Sequence, residues 1–200
     1  MSSALQGLLD LDQPSLYFSL ATILFNPIFW NIAARSEYRH RAITRLAGGN
    51  SRHGCYALAV TIFSLGIFRD YLYKNAIEHQ PQHPILAYGE VKVTAALFFI
   101  VGNVLVLSSM YALGVTGTYL GDYFGILMDE RVTGFPFNVT DNPMYHGSTL
   151  VFLSTALWYG SPAGLLITAI VFIAYTVALR FEEPFTAMIY AQRDAHSKKE

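Results

Sequence analysis

The chain has 200 residues, of which 53% are hydrophobic and only 14% are charged, and its formal net charge is −1. Because average soluble chains carry about 25% charged residues, this composition predicts a membrane protein rather than a soluble monomer. The balanced charge provides no basic field for a nucleic-acid backbone. The single cysteine, Cys55, excludes an internal disulfide and a thiolate metal site. We therefore expect no nucleic-acid partner and no metal.

The N-terminal part of the chain contains two acidic residues and then the first apolar segment. Asp10 and Asp12 stand where a secretory signal would carry Lys or Arg, so we expect the chain to keep its first residues. Residues 16–34 are long enough for a membrane helix, which needs about 20 residues. Because the segment contains Asn26 and Pro27, it is either a kinked span, which we favour, or an amphipathic helix lying in the membrane plane.

The next two segments, 54–73 and 94–114, are also long enough to span a bilayer. Arg69 and Asp70 lie near the end of the second segment, and this charged pair predicts an interfacial stop there. The third segment is the most uniformly apolar of the series. We expect both to be membrane-spanning helices.

The last apolar stretches, 149–159 and 163–179, are separated by Gly-Ser-Pro at 160–162. These helix-interrupting residues predict either a tight helical hairpin or one kinked span. No strand alternation and no internal repeat is seen, and open sheets cannot span lipid. The fold class is therefore all-α, an integral membrane helical bundle of about four spanning helices that forms one domain over 1–200, with the N-terminal in-membrane helix and the C-terminal hairpin as open alternatives.

Arginines are concentrated between the first and second segments, where only Glu37 opposes them. Short loops rich in Lys and Arg face the cytoplasm, so we predict that this loop is cytoplasmic. Residues 74–93 then face the lumen, and residues 115–147 and the C-terminal tail return to the cytoplasm. The basic residues of the loop are Arg35, Arg39, Arg41, Arg45 and Arg52, and those of the tail are Arg180, Arg193, Lys198 and Lys199.

The polar segment 114–147 is much longer than the roughly 2 to 8 residues that usually link two helices. Its glycines Gly117, Gly121 and Gly125 are four residues apart, which on a helix gives a smooth groove for a neighbouring helix or a flat ligand. Both interpretations stay open. No strand precedes these glycines and their spacing differs from GxGxxG, which excludes a dinucleotide fingerprint.

The acidic and aromatic residues that follow suit a membrane surface. Asp129, Glu130 and Arg131 suggest a helix cap, a solvated turn or a pocket at the level of the lipid headgroups, and Phe135 begins an aromatic stretch. Asn142 fits the N-cap of a helix whose first residue is Pro143. His146 has no partner at metal-ligand spacing, so an interfacial residue is favoured over a ligand or a base.

Glu182 and Glu183 directly follow the apolar run that ends at Leu179. Ionised carboxylates at the edge of lipid need a partner or a ligand. Arg180 is the nearest cation, but residues this close along a helix point in different directions. We therefore favour a functional role for the two glutamates.

Five long motifs carry a resemblance to a known family, and they are FNPIFWNIAAR (25–35), LVLSSMYALG (105–114), GTYLGDYFGILMDERVTGFPFNV (117–139), NPMYHGST (142–149) and EEPFTAMIYA (182–191). These motifs resemble the phospholipid N-methyltransferase family, which methylates phosphatidylethanolamine and its products, and they are most similar to its fungal branch. The resemblance covers nearly the whole chain. The turn NPxYxG and the paired glutamate are also similar to isoprenylcysteine carboxyl methyltransferases, over the C-terminal half only.

The resemblance implies methyl transfer from S-adenosylmethionine, which leaves as S-adenosylhomocysteine, to the headgroup amine of a phospholipid in the bilayer. The fungal branch implies phosphatidyl-N-methylethanolamine and its dimethyl product as acceptors and phosphatidylcholine as the end product. The alternatives are all three steps from phosphatidylethanolamine, or methylation of an isoprenylcysteine carboxyl group. The endoplasmic reticulum membrane is the implied location, with a mitochondrial membrane as the second.

The resemblance also implies cofactor-binding residues. Glu182 and Glu183 match the paired glutamate of the family. Its GxG motif near the third segment corresponds to residues 100–102, where only the second glycine, Gly102, is present. The candidate cofactor-binding residues are Gly102, Gly117, Gly121, Asn142, Tyr145, His146, Gly147, Glu182 and Glu183.

Methyl transfer needs a neutral amine, whereas an amine that titrates near 10 is only about one part in a thousand neutral at pH 7, a handicap of about 4 kcal/mol. We expect a carboxylate to take the proton while aromatic rings hold the amine by cation–π attraction. Arg131 is the candidate for the lipid phosphate or the cofactor carboxylate, since guanidinium binds either bidentately. The catalytic candidates are Glu182, Glu183, Asp122, Tyr123, Glu130 and Tyr145, and the substrate-binding candidates are Arg131, Phe135 and Tyr123.

Overall fold

The computed structural model describes residues 7–197, and this part of the chain is helical without a β-strand. Four helices within it, at Pro14–His40, Ser51–Glu78, Gly89–Phe124 and Pro162–His196, are long and apolar enough to cross a membrane, which confirms the all-α membrane bundle. Lys198 and Lys199 lie outside the described residues. The helices are α1 (Pro14–His40), α2 (Ala42–Leu46), α3 (Ser51–Glu78), α4 (Gly89–Thr118), α5 (Pro143–Tyr159) and α6 (Pro162–Ser197), with short 3₁₀ helices at Pro84–Ala87 and Gly121–Phe124.

The bundle has two ends, which we name by one residue each. At the Gly160 end, the His83 N–H donates to the Gly160 carbonyl at 2.9 Å. The Asn142 end holds residues 119–142, the α1–α3 connection and the last turns of α6. There Arg35 Nη2 donates to the carbonyl of Phe181 at 2.6 Å. The segments that the charge pattern assigns to one membrane side thus share one end, while the identity of that side stays a prediction.

Helix α1 runs antiparallel to α3 over the length of the bundle. Near its start the Asp10 N–H donates to Gln80 Oε1 at 2.8 Å, and in its middle Asn26 Nδ2 donates to the Leu65 carbonyl at 3.2 Å. Its 27 residues correspond to about 40 Å, more than the roughly 30 Å of bilayer hydrocarbon. The structure therefore supports the spanning interpretation of the first segment over the in-plane one, and Pro27 lies within the continuous helix.

The arginine-rich connection is mostly helical rather than the predicted loop. Helix α1 continues to His40, the backbone turns at Arg41 (φ 51°), and α2 follows directly. The buried Glu37 carboxylate accepts hydrogen bonds from the N–H of Ile43 at 2.7 Å and of Thr44 at 3.1 Å. Glu37 therefore caps the first turn of α2, a role that its position in an apparent loop did not indicate.

The last apolar pair forms a hairpin rather than one kinked span. Gly160 adopts the left-handed conformation (φ 64°), which ends α5 and reverses the chain. Helices α5 and α6 then pack closely, since a Cβ built on Gly164 would lie 2.8 Å from Ala156 Cβ. The hairpin returns the end of α6 to the start of α5.

The prediction of a helical groove at Gly117, Gly121 and Gly125 is wrong. Gly114 already interrupts α4 (φ 64°, ψ −178°), and α4 ends at Thr118. Gly121 begins a 3₁₀ turn and Gly125 ends it in the left-handed region (φ 76°). The three glycines therefore do not share a helix face, because α4 ends between Gly117 and Gly121 and a 3₁₀ turn separates Gly121 from Gly125.

Helices α4 and α5 cross at a glycine seam formed by Gly102 and Gly147. A Cβ on Gly102 would lie 2.7 Å from the Gly147 carbonyl oxygen, and a Cβ on Gly147 would lie 2.6 Å from the Gly102 carbonyl oxygen. Such close backbone approach is available only to small residues. The seam fixes α4 to α5 and so positions the start of α5 at the Asn142 end.

Candidate active site

A cavity of about 400 Å³ lies between α3 and α4 and is closed by residues of α1, α5 and α6. Its apolar walls include Phe63 and Ile67 of α3 and Met110 of α4. The segment before α5 and the start of α5 supply polar lining, including Asn142 and Tyr145. We call this space the α3/α4 cavity. Its volume lies in the range of small-molecule sites, roughly 300 to 1,000 Å³.

Glu182 of α6 lines the α3/α4 cavity and accepts a hydrogen bond at Oε2 from Tyr145 OH at 2.7 Å. Glu183 is exposed, and its Oε1 accepts from Asn142 Nδ2 at 2.9 Å. Successive helix residues project in different directions, so the two carboxylates meet different partners. Both partners belong to the predicted N-terminus of α5. Asn142 does hold the N-cap position, but its side chain binds Glu183 and makes no cap hydrogen bond.

Asp122 also approaches α6. Its Oδ2 accepts a hydrogen bond from Thr186 Oγ1 at 3.1 Å. Thr186 is one helical turn after Glu182, so the two residues share a face of α6. The acidic turn after α4 and the glutamate pair are therefore brought to one end of the bundle. The neighbouring Tyr123 is buried and stacks on Phe185 with centroids 5.1 Å apart, which gives it a packing contact outside the cavity lining.

Three aromatic rings that line the cavity form a cluster beside Glu182. Tyr145 and Tyr175 meet edge to face with centroids 5.0 Å apart, and Trp30 lies 6.5 Å from each of them. Sequence reasoning proposed Tyr145 but missed Trp30 and Tyr175. The available signals were the place of Trp30 within the 25–35 motif and the hydroxyl of Tyr175 inside an apolar run.

Arg69 also lines the α3/α4 cavity, and the charged pair that it forms with Asp70 does not end the helix. Helix α3 continues to Glu78, and the Arg69 side chain is only 12% exposed. Its Nη1 donates to Tyr175 OH at 2.6 Å, while Nε and Nη2 donate to Asp70 Oδ1 at 2.9 and 2.8 Å. The sequence feature that could have indicated this role is the charged pair Arg69 and Asp70, because it lies inside the apolar segment 54–73 and not after it.

Among the predicted glycines, Gly117 lines the cavity. Gly121 does not, and a Cβ there would meet the Thr116 carbonyl oxygen at 2.7 Å, a tight turn contact. Gly102 and Gly147 form the glycine seam, away from the cavity lining. The family motif around Gly102 therefore has a packing role in this fold.

The remaining predicted residues lie at the rim of the Asn142 end. Glu130 and Phe135 are exposed, and neither lines the cavity. Arg131 pairs with Asp141 at 3.5 Å with both side chains 82% exposed. His146 is exposed, with Nδ1 2.6 Å from Thr140 Oγ1. Across residues 7–197, no group of three or more His, Cys, Asp or Glu side chains is arranged to hold a metal ion.

Residues 91–193, which include the seam, the acidic turn and the glutamate pair, match the family described as phospholipid methyltransferase. This chain belongs to that family. The phosphatidyl-N-methylethanolamine N-methyltransferase of Schizosaccharomyces pombe is 61% identical over 89% of the chain and 91% of its own length. The enzyme of the same name from Saccharomyces cerevisiae is 59% identical over 94% of the chain and 91% of its own length.

More distant members of the family include animal enzymes. The phosphatidylethanolamine N-methyltransferase of Mus musculus is 49% identical over 96% of both chains. No solved structure matches the chain. The predicted family resemblance is confirmed, and this phospholipid methyltransferase is a membrane-embedded methyl-transferring enzyme.

Proposed function

We propose that this phospholipid methyltransferase methylates the headgroup amines of phosphatidyl-N-methylethanolamine and its dimethyl product and so makes phosphatidylcholine. The names of the fungal relatives support these two acceptors. The observation that carries the proposal is the Glu182 carboxylate in the α3/α4 cavity beside Trp30, Tyr145 and Tyr175. A carboxylate and aromatic faces together suit a cationic amine that becomes permanently charged on methylation.

The methyl donor that we propose is S-adenosylmethionine, which when bound supplies an electrophilic methyl group. The residues present suit its chemistry, because Glu182 and Glu183 offer carboxylates for its ammonium or ribose hydroxyls and Asn142 links Glu183 to the start of α5. Gly117 lacks a side chain where a ligand would approach α4. Gly102 and Gly147 contribute through the glycine seam, which holds α5 and therefore Asn142 and Tyr145 in place.

The acceptor amine must lose a proton before it can attack. Glu182 lines the cavity and is the base that we favour, with Tyr145 OH holding its Oε2 in position. Asp122 is the second candidate, because Thr186 places it beside the same face of α6. Either carboxylate would pass the proton to water at the Asn142 end. That end would face the cytoplasm, and the membrane that we propose is the endoplasmic reticulum.

The test is an acceptor panel. The purified protein, reconstituted with radiolabelled S-adenosylmethionine, is given phosphatidylethanolamine, its monomethyl form, its dimethyl form or a prenylated cysteine compound. We expect label in the monomethyl and dimethyl lipids at rates at least tenfold above phosphatidylethanolamine, and none in the prenylated compound. Equal rates on all three lipids would instead assign the complete pathway from phosphatidylethanolamine, and label in the prenylated compound would refute the proposal.

A further inference from the structure

Arg69 is a charged residue within α3, one of the helices long and apolar enough to cross a membrane. It lies eighteen residues after Ser51 and nine before Glu78, so about 27 Å and 14 Å of helix separate it from the two ends of α3. Charged side chains at such depth are costly and usually serve a ligand or a transported ion. Because helix side chains tilt toward the N-terminus, Arg69 leans from this depth toward the Asn142 end.

The contacts of Arg69 leave part of its guanidinium available. A guanidinium has five N–H donors. Asp70 Oδ1 takes one from Nε and one from Nη2, and Tyr175 OH takes one from Nη1. One donor on Nη1 and one on Nη2 are left, and a guanidinium with two free N–H donors can bind the oxygens of a phosphate or carboxylate. The guanidinium also lies over the Phe152 ring, with its Cζ 5.0 Å from the ring centroid.

Arg69 stands next to the aromatic cluster that we propose for the amine. The Tyr175 hydroxyl bonded to Arg69 belongs to the ring that meets Tyr145 at 5.0 Å, and Tyr145 in turn bonds Glu182. The cavity therefore presents a cation followed by aromatic faces and a carboxylate. The acceptor headgroup has the complementary order, an anionic phosphate joined by a short ethylene link to a cationic amine.

We propose that Arg69 binds the phosphate of the acceptor phospholipid while Trp30, Tyr145 and Tyr175 surround its amine. This inference rests on the proposed function and names the substrate group that the cavity recognises. Arg131, the sequence-based candidate for the phosphate, is 82% exposed and opposes an equally exposed Asp141 at 3.5 Å. Water and salt weaken such a surface cation, whereas Arg69 is shielded.

The shape of the cavity suits lateral entry of a lipid. The cavity separates α3 from α4, and its walls toward the bilayer include the exposed side chains of Phe63 and Ile67. Acyl chains can remain against these apolar surfaces while the headgroup enters between the two helices. The carboxylate of the methyl donor is the other anion that Arg69 could bind, and the experiment must distinguish the two sources.

The test compares two acceptors of the reconstituted protein. One is the dimethyl phospholipid, and the other is a diacyl dimethylaminopropane, which has the same tertiary amine and acyl chains but no phosphate. Arg69→Gln should lower kcat/KM for the phospholipid at least tenfold and change the value for the phosphate-free amine less than twofold. Arg69→Lys, which keeps the charge but not the fork, should give an intermediate loss on the phospholipid alone. Arg52→Gln, an exposed arginine at the start of α3, is the matched control and should change neither value.

Affinity for S-adenosylhomocysteine, measured by calorimetry, separates the alternatives. In Arg69→Gln it should stay within twofold of the unmodified protein. A tenfold weaker affinity, or equal losses on both acceptors, would overturn the phosphate assignment in favour of a cofactor contact or a structural role. If Arg69→Gln does not fold, Arg69→Lys provides the test, through its change in kcat/KM on the phospholipid and its change in kcat/KM on the phosphate-free amine. If the unmodified protein methylates neither acceptor, the proposed function fails, which is a different result from failure of the Arg69 assignment.

Discussion

Helix α4 meets its two neighbours in opposite ways. At the glycine seam, Gly102 and Gly147 bring α4 and α5 so close that a Cβ on either glycine would lie within 2.7 Å of the other's carbonyl oxygen. Toward the Asn142 end, α4 stands apart from α3 and Gly117 lines the α3/α4 cavity between them. Glycine therefore serves close packing in one region and ligand space in the other, and substitutions in the two regions should fail in different ways.

The largest expected effect is in the cavity, at Glu182. Glu182→Gln removes the carboxylate that we propose to hold the donor or accept the proton, so methyl transfer should fall at least 100-fold, equivalent to about 2.7 kcal/mol. Initial rates with radiolabelled donor measure the loss, and the melting temperature in detergent should change little. Glu90→Gln, an exposed acid in the first turn of α4, is the matched control. A wild-type rate in Glu182→Gln would remove this residue from the site.

The seam should respond through stability. Gly102→Ala places a methyl group 2.7 Å from the Gly147 carbonyl oxygen, and such overpacking typically costs about 1 to 3 kcal/mol. We expect a lower melting temperature, with affinity for S-adenosylhomocysteine unchanged in the fraction that remains folded. Gly89→Ala, at the start of the same helix, is the control, because a Cβ there has open space. The opposite pattern, lost affinity with an unchanged melting temperature, would make Gly102 a direct cofactor contact.

A smaller effect is expected at Tyr145. This residue lines the cavity and lies in the first turn of α5, the helix that the glycine seam joins to α4. Tyr145→Phe keeps the ring against Tyr175 and removes only the hydroxyl that donates to Glu182 at 2.7 Å. Hydrogen bonds to charged groups contribute about 1.5 kcal/mol or more, so kcat/KM should fall about tenfold. Tyr111→Phe, on an exposed ring of α4, serves for comparison. No loss in Tyr145→Phe would mean that Glu182 needs no positioning by this hydroxyl.

The smallest effect is expected from glycosylation of the segment before α5, at the Asn142 end of the bundle. Asn138, Val139 and Thr140 form a glycosylation sequon, and the positive-inside rule assigns the Asn142 end to the cytoplasm, where no glycan is added. We expect identical gel mobility before and after deglycosylation, and no change in Asn138→Gln. A mobility shift lost on deglycosylation would invert the orientation of the whole bundle.

Much of the fold was predictable because membrane helices are determined by local composition. Segments that must fill the bilayer need long apolar runs, and the start of α5 at Pro143 follows from a preceding Asn and a proline at the first position. The glycine groove was wrong for a different reason. Periodic spacing predicts a shared face only if the helix continues, and α4 ends at Thr118, before Gly121 and Gly125.

The site was predictable in part. Glu182, Tyr145 and Asn142 belong to conspicuous polar motifs, and the structure brings them together at the Asn142 end. Trp30, Arg69 and Tyr175 lie within apolar runs, where a sequence pattern cannot distinguish a residue that faces lipid from one that faces a cavity. Arg69 illustrates the limit, because its charge suggested the end of a helix while its contacts place it against Tyr175.

By itself the sequence determined the class of fold, the family and the polar segments at which chemistry would be found, because burial of apolar length in lipid and long motifs are properties of consecutive residues. Only the tertiary structure decided which residues share the cavity and which glycines merely pack. The rotation of each helix about its axis is set by contacts with its neighbours, and residues such as Trp30 and Arg69 meet only after those contacts have formed.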